Sequence, residues 1–237
     1  RNTALGLYGL CATTTGQDNT ALGALALKNN STGNRNVGIG HCALYSNTTA
    51  ANNVAVGACA LRFNTTGTHL TGIGFRALEN NSTGTGNTAL GKYALIGNTI
   101  GTNNTALSYN ALRCNTTGNN SIAIGVNALF TNTTGHSNTA LGTHALRLNT
   151  TGDSNVGLGY RALCSNTTAG CNTAIGRRAL QANTTGCTNV AVGVDALLYN
   201  TVGNYNVGVG ALALFKNTSA SNNSAFGSWA LQYNTTG

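Results

Sequence analysis

The chain has 237 residues, of which 41% are hydrophobic and only 7% are charged, and its formal net charge is +8. This balance differs from the low hydrophobicity and high net charge of disordered chains, and 32 glycines without a single proline exclude collagen. No apolar run approaches the about 18 residues of a membrane helix, so the sequence predicts no membrane span.

A 17-residue repeat runs through the whole sequence without a shift in register. Thirteen full repeats begin at Asn2, and a partial fourteenth begins at Asn223. The consensus is N-[TV]-[AG]-[LIV]-G-x-x-A-L-x-x-N-T-T-G-x-x, and its positions are called columns 1–17 below. We therefore interpret residues 1–237 as a single repeat domain. Because no Met is present, we expect it to be a processed product or a segment of a longer chain.

The length of the unit indicates an all-β fold, a β-solenoid of about fourteen 17-residue coils. Ankyrin, tetratricopeptide and HEAT units are longer, and a unit this short must bury its apolar residues against stacked neighbours. Columns 1–4 alternate with period two, as in residues 189–192, which predicts a strand. Columns 5–12 predict either an irregular arc, which we favour, or a short helical or 3₁₀ turn. Thr-Thr at columns 13 and 14 could form a second short strand.

The composition of each column predicts which residues are buried. Columns 4, 8 and 9 are apolar in nearly every repeat and form the predicted core, whereas columns 3, 5 and 15 hold small residues suited to close approach and turns. Every Lys, Arg, Asp, Glu, His and Cys lies in columns 6, 7, 10, 11, 16 or 17, if Arg1 is counted as column 17. We therefore expect these six columns to face outward.

The terminal repeats resemble the central ones, since Leu5 and Leu10 match Phe226 and Leu231. Solenoids normally close with atypical polar caps, and uncapped ends expose apolar residues and unpaired strand edges. We therefore expect the ends to be covered by more of the same chain or by another subunit stacked end to end.

Two segments carry a resemblance to known repeat proteins. Residues 120–125, N-S-I-A-I-G, resemble units in the head repeats of trimeric autotransporter adhesins. The fuller pattern in residues 138–152 resembles the repeat tracts of bacterial and phage tail-fibre-like proteins. This resemblance covers the whole chain and implies an extracellular, trimeric β-solenoid shaft or adhesive head at a cell or virion surface. Autotransporter heads have a shorter period than the 17-residue unit found here.

The sequence offers no set of residues for catalysis. The acidic residues Asp18, Glu79, Asp153 and Asp195 lie in four different columns and in separate coils, so we interpret them as solvated surface charges. No H-x-x-x-H, C-x-x-C or G-K-[ST] motif indicates a metal or nucleotide site. We therefore predict that the protein is not an enzyme and binds no cofactor or metal.

Four cysteines are placed for disulfide bonds between coils. Cys42 and Cys59 occupy column 7 of consecutive coils, and Cys171 and Cys187 occupy columns 17 and 16 of consecutive coils. Strands stack about 4.8 Å apart, which suits the Cα separation of a disulfide. We predict these two bridges, with free exposed thiols as the alternative. Since the chain has seven cysteines, at least one thiol is free or bonded to another chain.

Column 12 is asparagine in every repeat except at Thr13, and eleven of these asparagines lie in N-x-[ST] sequences. We favour a stacked structural ladder, and N-glycosylation is the alternative. The residues concerned are Asn30, Asn47, Asn64, Asn81, Asn115, Asn132, Asn149, Asn166, Asn183, Asn217 and Asn234.

These observations favour an extracellular structural and adhesive fibre that forms a rigid rod or filament with copies of itself. Loose basic stripes in columns 7 and 10 are interleaved with aromatic residues and could bind cell-surface polysaccharide, whereas no module indicates specific nucleic-acid binding. One alternative is an ice-binding solenoid that uses stacked Thr columns, and another is a viral or phage tail-fibre shaft.

Overall fold

The computed structural model describes residues 1–235 and is an all-β parallel solenoid in which each 17-residue repeat forms one coil. The fold class predicted from the repeat is therefore confirmed. The chain divides into two compact units, Arg1–Asn119 and Asn120–Gly237, which are called unit 1 and unit 2 and are described separately.

Each coil contributes one short strand from columns 1–4, and consecutive strands within a unit pair in parallel exactly one repeat apart, so that Val37 pairs with Val54 and Thr173 with Val190. The strands of unit 1 are β1 Asn2–Leu5, β2 Asn19–Leu22, β3 Val37–Ile39, β4 Val54–Val56, β5 Thr71–Ile73, β6 Thr88–Leu90 and β7 Thr105–Leu107. The strands of unit 2 are β8 Ile122–Ile124, β9 Thr139–Leu141, β10 Val156–Leu158, β11 Thr173–Ile175, β12 Val190–Val192, β13 Val207–Val209 and β14 Ser224–Phe226.

Columns 6–11 form the irregular arc, and residues 1–235 contain no helix. The helical or 3₁₀ alternative is therefore wrong. The reason lies in the backbone, because columns 7 and 9 adopt left-handed dihedral angles, as at Leu25 (φ 63°) and Leu27 (φ 51°). A left-handed residue at every second position interrupts the run of right-handed angles that a helix requires.

The predicted second strand at columns 13 and 14 is also absent from the described coils, where these residues form a bend. In the second coil, the backbone N–H groups of Ser31, Thr32 and Gly33 all donate to the carbonyl of Thr48 in the next coil, at 2.8, 3.2 and 3.3 Å. Three donors that converge on one oxygen require a tight turn rather than an extended ladder.

The core consists of columns 3, 8 and 9, as illustrated by Ala21, Ala26 and Leu27, which are at most 1% exposed. Column 4 was predicted to belong to the core, and this prediction is wrong. Leu22 in that column is 43% exposed because strand side chains alternate and column 3 points inward. The interior therefore has room for small residues beside one leucine per coil, and the larger aliphatic residues of column 4 point to solvent.

Two ladders of buried asparagines line the interior, one in column 12 and one in column 1. Asn47 in column 12 donates its side-chain amide to Asn30 Oδ1 of the preceding coil at 2.8 Å and to the carbonyl of Ala50 at 3.1 Å. Asn36 in column 1 donates to Asn19 Oδ1 at 3.1 Å and to the same Ala50 carbonyl at 2.8 Å. The two ladders thus donate to the same carbonyl of the turn between them, and they hold consecutive coils in register.

The glycines of column 5 set the distance between coils. Gly57 has φ +131°, and a Cβ atom there would lie 2.5 Å from the carbonyl oxygen of Gly74 in the next coil. A side chain at this position would therefore clash with the backbone of the next coil, and it would also strain its own backbone, because the positive φ angle disfavours residues with a Cβ atom.

Candidate binding surfaces

The outward columns 2 and 4 of the strands form a surface that we call the sheet face. Its column 4 side chains are aliphatic apart from Phe226 and are partly or largely exposed in both units, with Leu90 47% and Ile175 39% exposed. Its column 2 side chains are mostly Thr or Val, as at Thr88 and Val190. Since neither column contains a charged residue, each unit presents an uncharged, apolar stripe that repeats with every coil.

The two threonine columns differ in their hydrogen bonds. Hydroxyls of column 13 donate to a backbone carbonyl in the next coil, as Thr65 does to Ser82 at 3.0 Å and Thr184 to Thr201 at 3.0 Å. Column 14 points to solvent and forms an exposed row in each unit. Its exposed threonines are Thr15, Thr32, Thr49, Thr66 and Thr83 in unit 1 and Thr134, Thr151, Thr168 and Thr185 in unit 2.

The outward side chains of columns 6, 7, 10 and 11 form a third surface, which we call the arc face. Several basic and aromatic side chains lie close together on it, and Lys92 Nζ lies 5.8 Å from the centre of the Phe75 ring and 5.0 Å from that of Tyr93. Lys216 Nζ lies in the same way 4.7 Å from the Tyr199 ring and 5.5 Å from the Phe215 ring. These distances are within the range of cation–π attraction.

All four acidic residues were interpreted as solvated surface charges, and for Glu79 and Asp195 this interpretation is wrong. Glu79 is 1% exposed and accepts a hydrogen bond from Arg76 at 2.6 Å. Asp195 is 6% exposed and accepts two hydrogen bonds from Arg178 at 2.8 and 2.6 Å. Each buried carboxylate is thus neutralised by an arginine of the arc face, and the hydrogen bond to the carboxylate raises the pKa of Arg76 and of Arg178.

The seven cysteines are free thiols in this structure, so the two predicted disulfides stay predictions. Cys42 is buried, and its burial raises the pKa of the thiol, with a further increase from the nearby Cys59. The parallel register places Cys42 and Cys59 at the same column of adjacent coils. Burial also raises the pKa of Cys114 and Cys164, which makes their thiolate forms less abundant.

The asparagines considered for glycosylation lie in the column 12 ladder. All of them are fully buried except Asn234 in the last coil, and the amides of these buried asparagines donate to neighbouring oxygens, as Asn149 does to Asn132 Oδ1 and to the Gly152 carbonyl, both at 2.9 Å. Since a glycan is attached to this same nitrogen, the burial argues against glycosylation of the folded chain.

Within the described part of the chain, no group of three or more His, Cys, Asp or Glu side chains is arranged to hold a metal ion. No helix of residues 1–235 is long and apolar enough to span a membrane. Comparisons with protein-family models, curated proteins and solved structures found no match. The function proposed for this chain therefore rests on its three surfaces.

Sequence reasoning missed the sheet face and the asparagine ladder of column 1. The ladder could have been found, because column 1 is asparagine in all repeats except those that begin with Leu70 and Ser121. The sheet face was missed because hydrophobicity alone assigns the aliphatic residues of column 4 to the interior.

Proposed function

We propose that this protein is a structural and adhesive fibre protein that associates with copies of itself through the sheet face and acts outside the cell or on a virion. The observation that carries the proposal is the uncharged, apolar sheet face, which repeats without interruption in the strands of each unit. Large exposed apolar patches are typical of protein interfaces.

A second copy of the chain is the partner that suits this face best. Another molecule with the same repeat presents matching side chains at the same spacing, so that contacts made in one coil recur in the next. Burial of one aliphatic side chain per coil contributes up to about 1.5 kcal/mol, and the contributions add along the face. Asymmetric partners without such a repeat would match only a part of the stripe.

Sedimentation velocity and electron microscopy of the purified chain test this proposal. We expect oligomers or filaments for the native sequence and a shift to monomers for Leu90→Lys/Ile175→Lys, since both lysines would stand in the apolar stripe. The matched control is Ile100→Lys, because Ile100 is 53% exposed but lies in column 14, away from the sheet face. A native chain that sediments as a monomer at every concentration contradicts the proposal.

The exposed threonines of column 14 favour ice binding as a second candidate function. They recur at the about 4.8 Å spacing of stacked strands, and a regular array of hydroxyl and methyl groups can match the spacing of an ice surface. A thermal-hysteresis measurement decides between the two, with Thr66→Lys/Thr83→Lys as the variant that should abolish any hysteresis. The viral or phage tail-fibre shaft is a special case of the first proposal and is tested by the same filament assay.

A further inference from the structure

The positive charge of this protein is concentrated on the arc face. In unit 1 this face carries five basic residues and one acidic residue, a net charge of +4, and in unit 2 the same count gives +4 again. The four charged residues outside it, Arg1, Asp18, Arg35 and Asp153, cancel one another. The whole net charge of +8 therefore lies on one of the surfaces of the coil. The basic residues are Lys28, Arg62, Arg76, Lys92 and Arg113 in unit 1 and Arg147, Arg161, Arg177, Arg178 and Lys216 in unit 2.

The two carboxylates of the arc face do not offset the remaining cations. Glu79 is held by Arg76, and Asp195 is held by Arg178, with Arg177 3.6 Å away. Within residues 1–235, Lys28, Arg62, Lys92, Arg147, Arg161 and Lys216 form no ion pair. Their charge also acts on its surroundings, since the pKa of His144 is lowered by burial and further by Arg147 and Arg161. A face of this kind attracts anions from solution.

Aromatic rings lie beside the cations on the arc face, as three coils of unit 1 illustrate. The Phe75 and Tyr93 rings lie 5.6 Å apart, and Tyr93 lies 6.2 Å from Tyr109 in the following coil. Phe75 and Tyr109 are each 44% exposed, so ring faces remain available to a ligand. In column 6 the order is Phe75, Lys92, Tyr109, one residue from each of three consecutive coils. A ligand that follows column 6 across these three coils would therefore meet a ring, a cation and a second ring.

From this arrangement we propose that the arc face binds an acidic polysaccharide, a linear polymer with carboxylate or sulfate groups. This inference rests on the adhesive part of the proposed function and names its ligand class. Sugar rings stack on exposed aromatic side chains, and carboxylates or sulfates pair with lysine and arginine. Each unit offers both kinds of contact, since Lys92 lies beside Tyr93 in unit 1 and Lys216 beside Tyr199 in unit 2.

The charge density favours a polysaccharide over a nucleic acid. Seven coils at about 4.8 Å each extend over about 34 Å, so the net charge of +4 in one unit corresponds to about one charge per 8 Å. A nucleic-acid strand carries a phosphate every about 3.4 Å. The sparser charges of a polymer with one acidic group on each sugar or on alternate sugars match the arc face better.

The test is calorimetric titration of the full chain with polygalacturonate, which has a carboxylate on every sugar, and with hyaluronate, which has one on alternate sugars. The titrations are done at about 0.05 M salt, where charge interactions are weakly screened. Neutral dextran and an oligothymidylate serve as comparison ligands. We expect Lys28→Gln/Lys92→Gln to weaken binding of at least one acidic polysaccharide about tenfold. The matched variant Arg1→Gln/Arg35→Gln removes the same charge away from the arc face and should change affinity by less than about threefold.

A second pair of variants tests the contribution of the rings. Phe75→Ser/Tyr109→Ser should weaken binding about tenfold, whereas Tyr205→Ser, which removes a 61% exposed ring in column 17, should have little effect. Failure to bind either acidic polysaccharide overturns the inference, as does equal weakening by the variants on and off the arc face. Tighter binding of the oligothymidylate, weakened by the same arc-face variants, would assign the surface to nucleic acid instead.

The outcome is independent of the assembly assay. None of these variants alters the sheet face, so the filaments of the proposed function should form in all of them. A native chain that forms filaments but binds neither acidic polysaccharide would reject the inference alone, and a native chain that stays monomeric but binds polysaccharide would reject only the fibre.

Discussion

Single buried asparagines stabilise this protein because each ladder asparagine links its coil to a neighbouring coil. Asn81 donates to Asn64 Oδ1 at 2.9 Å and to the Gly84 carbonyl at 3.0 Å, and its own Oδ1 accepts from Asn98 at 2.8 Å. It is fully buried, so no water can replace a lost partner. The amide is required here for both its donor and its acceptor.

We predict that Asn81→Asp destabilises the chain by about 3 kcal/mol at neutral pH, because a buried carboxylate would face two oxygens without a donor. The adjacent Asn80→Asp is the control, since Asn80 is exposed on the arc face and should change stability by less than about 0.5 kcal/mol. Urea unfolding of both variants provides the measurement. Equal stability of the two would show that the ladder contributes nothing.

The stability of the Asn81→Asp variant should depend on pH because the new carboxyl group is buried. Burial raises the folded-state pKa of the new carboxyl above its unfolded value, so the folded chain binds the proton at higher pH. Stability of the variant relative to the native chain should therefore rise as the pH falls toward about 4, the ordinary pKa of Asp. A constant difference across this range would contradict a buried carboxylate.

At the scale of the turn, column 17 requires a left-handed residue in every coil. Asparagine and glycine accept this conformation readily, and Asn52, Asn103 and Gly86 occupy it with φ 60°, 56° and 69°. Thr188 occupies the same position with φ 58°, although its branched Cβ makes the conformation costly. Its side chain is exposed and so gains little from packing.

We predict that Thr188→Asn stabilises the chain by about 0.5 to 1 kcal/mol, since asparagine tolerates the left-handed region. Thr185→Asn is the control, because Thr185 is also an exposed threonine but is not among the residues with positive φ. The urea midpoint should rise for the first variant at unchanged slope and stay constant for the second. A lower midpoint for Thr188→Asn would contradict the assigned turn geometry.

The sequence predicted the positions of the strands better than which face of each strand is buried. Column 9 is leucine in every repeat, and its burial follows from that invariance together with the constant 17-residue period. The alternation of columns 1–4 located the strands, but it did not show whether columns 1 and 3 or columns 2 and 4 face the interior. Columns 1 and 3 point inward because the asparagines of column 1 form a hydrogen-bonded ladder and the small residues of column 3 fit a narrow coil. The stabilisation by the ladder is visible only when hydrogen bonds such as that from Asn36 to Asn19 are considered.

The outward orientation of the charged columns was predictable from the sequence, but the burial of two carboxylates in them was not. The charged columns of the arc face could be assigned outward because an unpaired charge is rarely buried. The burial of Glu79 and Asp195 could not, since it depends on an arginine three residues before Glu79 and on one in the preceding coil for Asp195. Pairings of this kind depend on the path of the arc, whose left-handed residues are mostly not glycine and so carry no clear sequence signal.

For the molecule as a whole, nearest-neighbour stacking means that coils are interchangeable units. Residues 70–86 form one complete coil of unit 1, which contains both partners of the Arg76–Glu79 ion pair. Its first residue, Leu70, replaces the asparagine of column 1. Deletion of this coil would bring Asn87 next to Asn53 and Asn98 next to Asn64, and each ladder would continue without a gap.

We predict that the chain without residues 70–86 folds and that its melting temperature lies within about 5 °C of the native value. The control lacks residues 70–87 and is therefore one residue short of the register, so that either the strand slips and turns its inward side chains to solvent or the turn loses its asparagine. Its melting temperature should be lower by about 10 °C or more. Far-UV circular dichroism during thermal unfolding measures both. If the two deletions were equally damaging, stability would depend on contacts beyond adjacent coils, and the solenoid could not be treated as a stack of equivalent units.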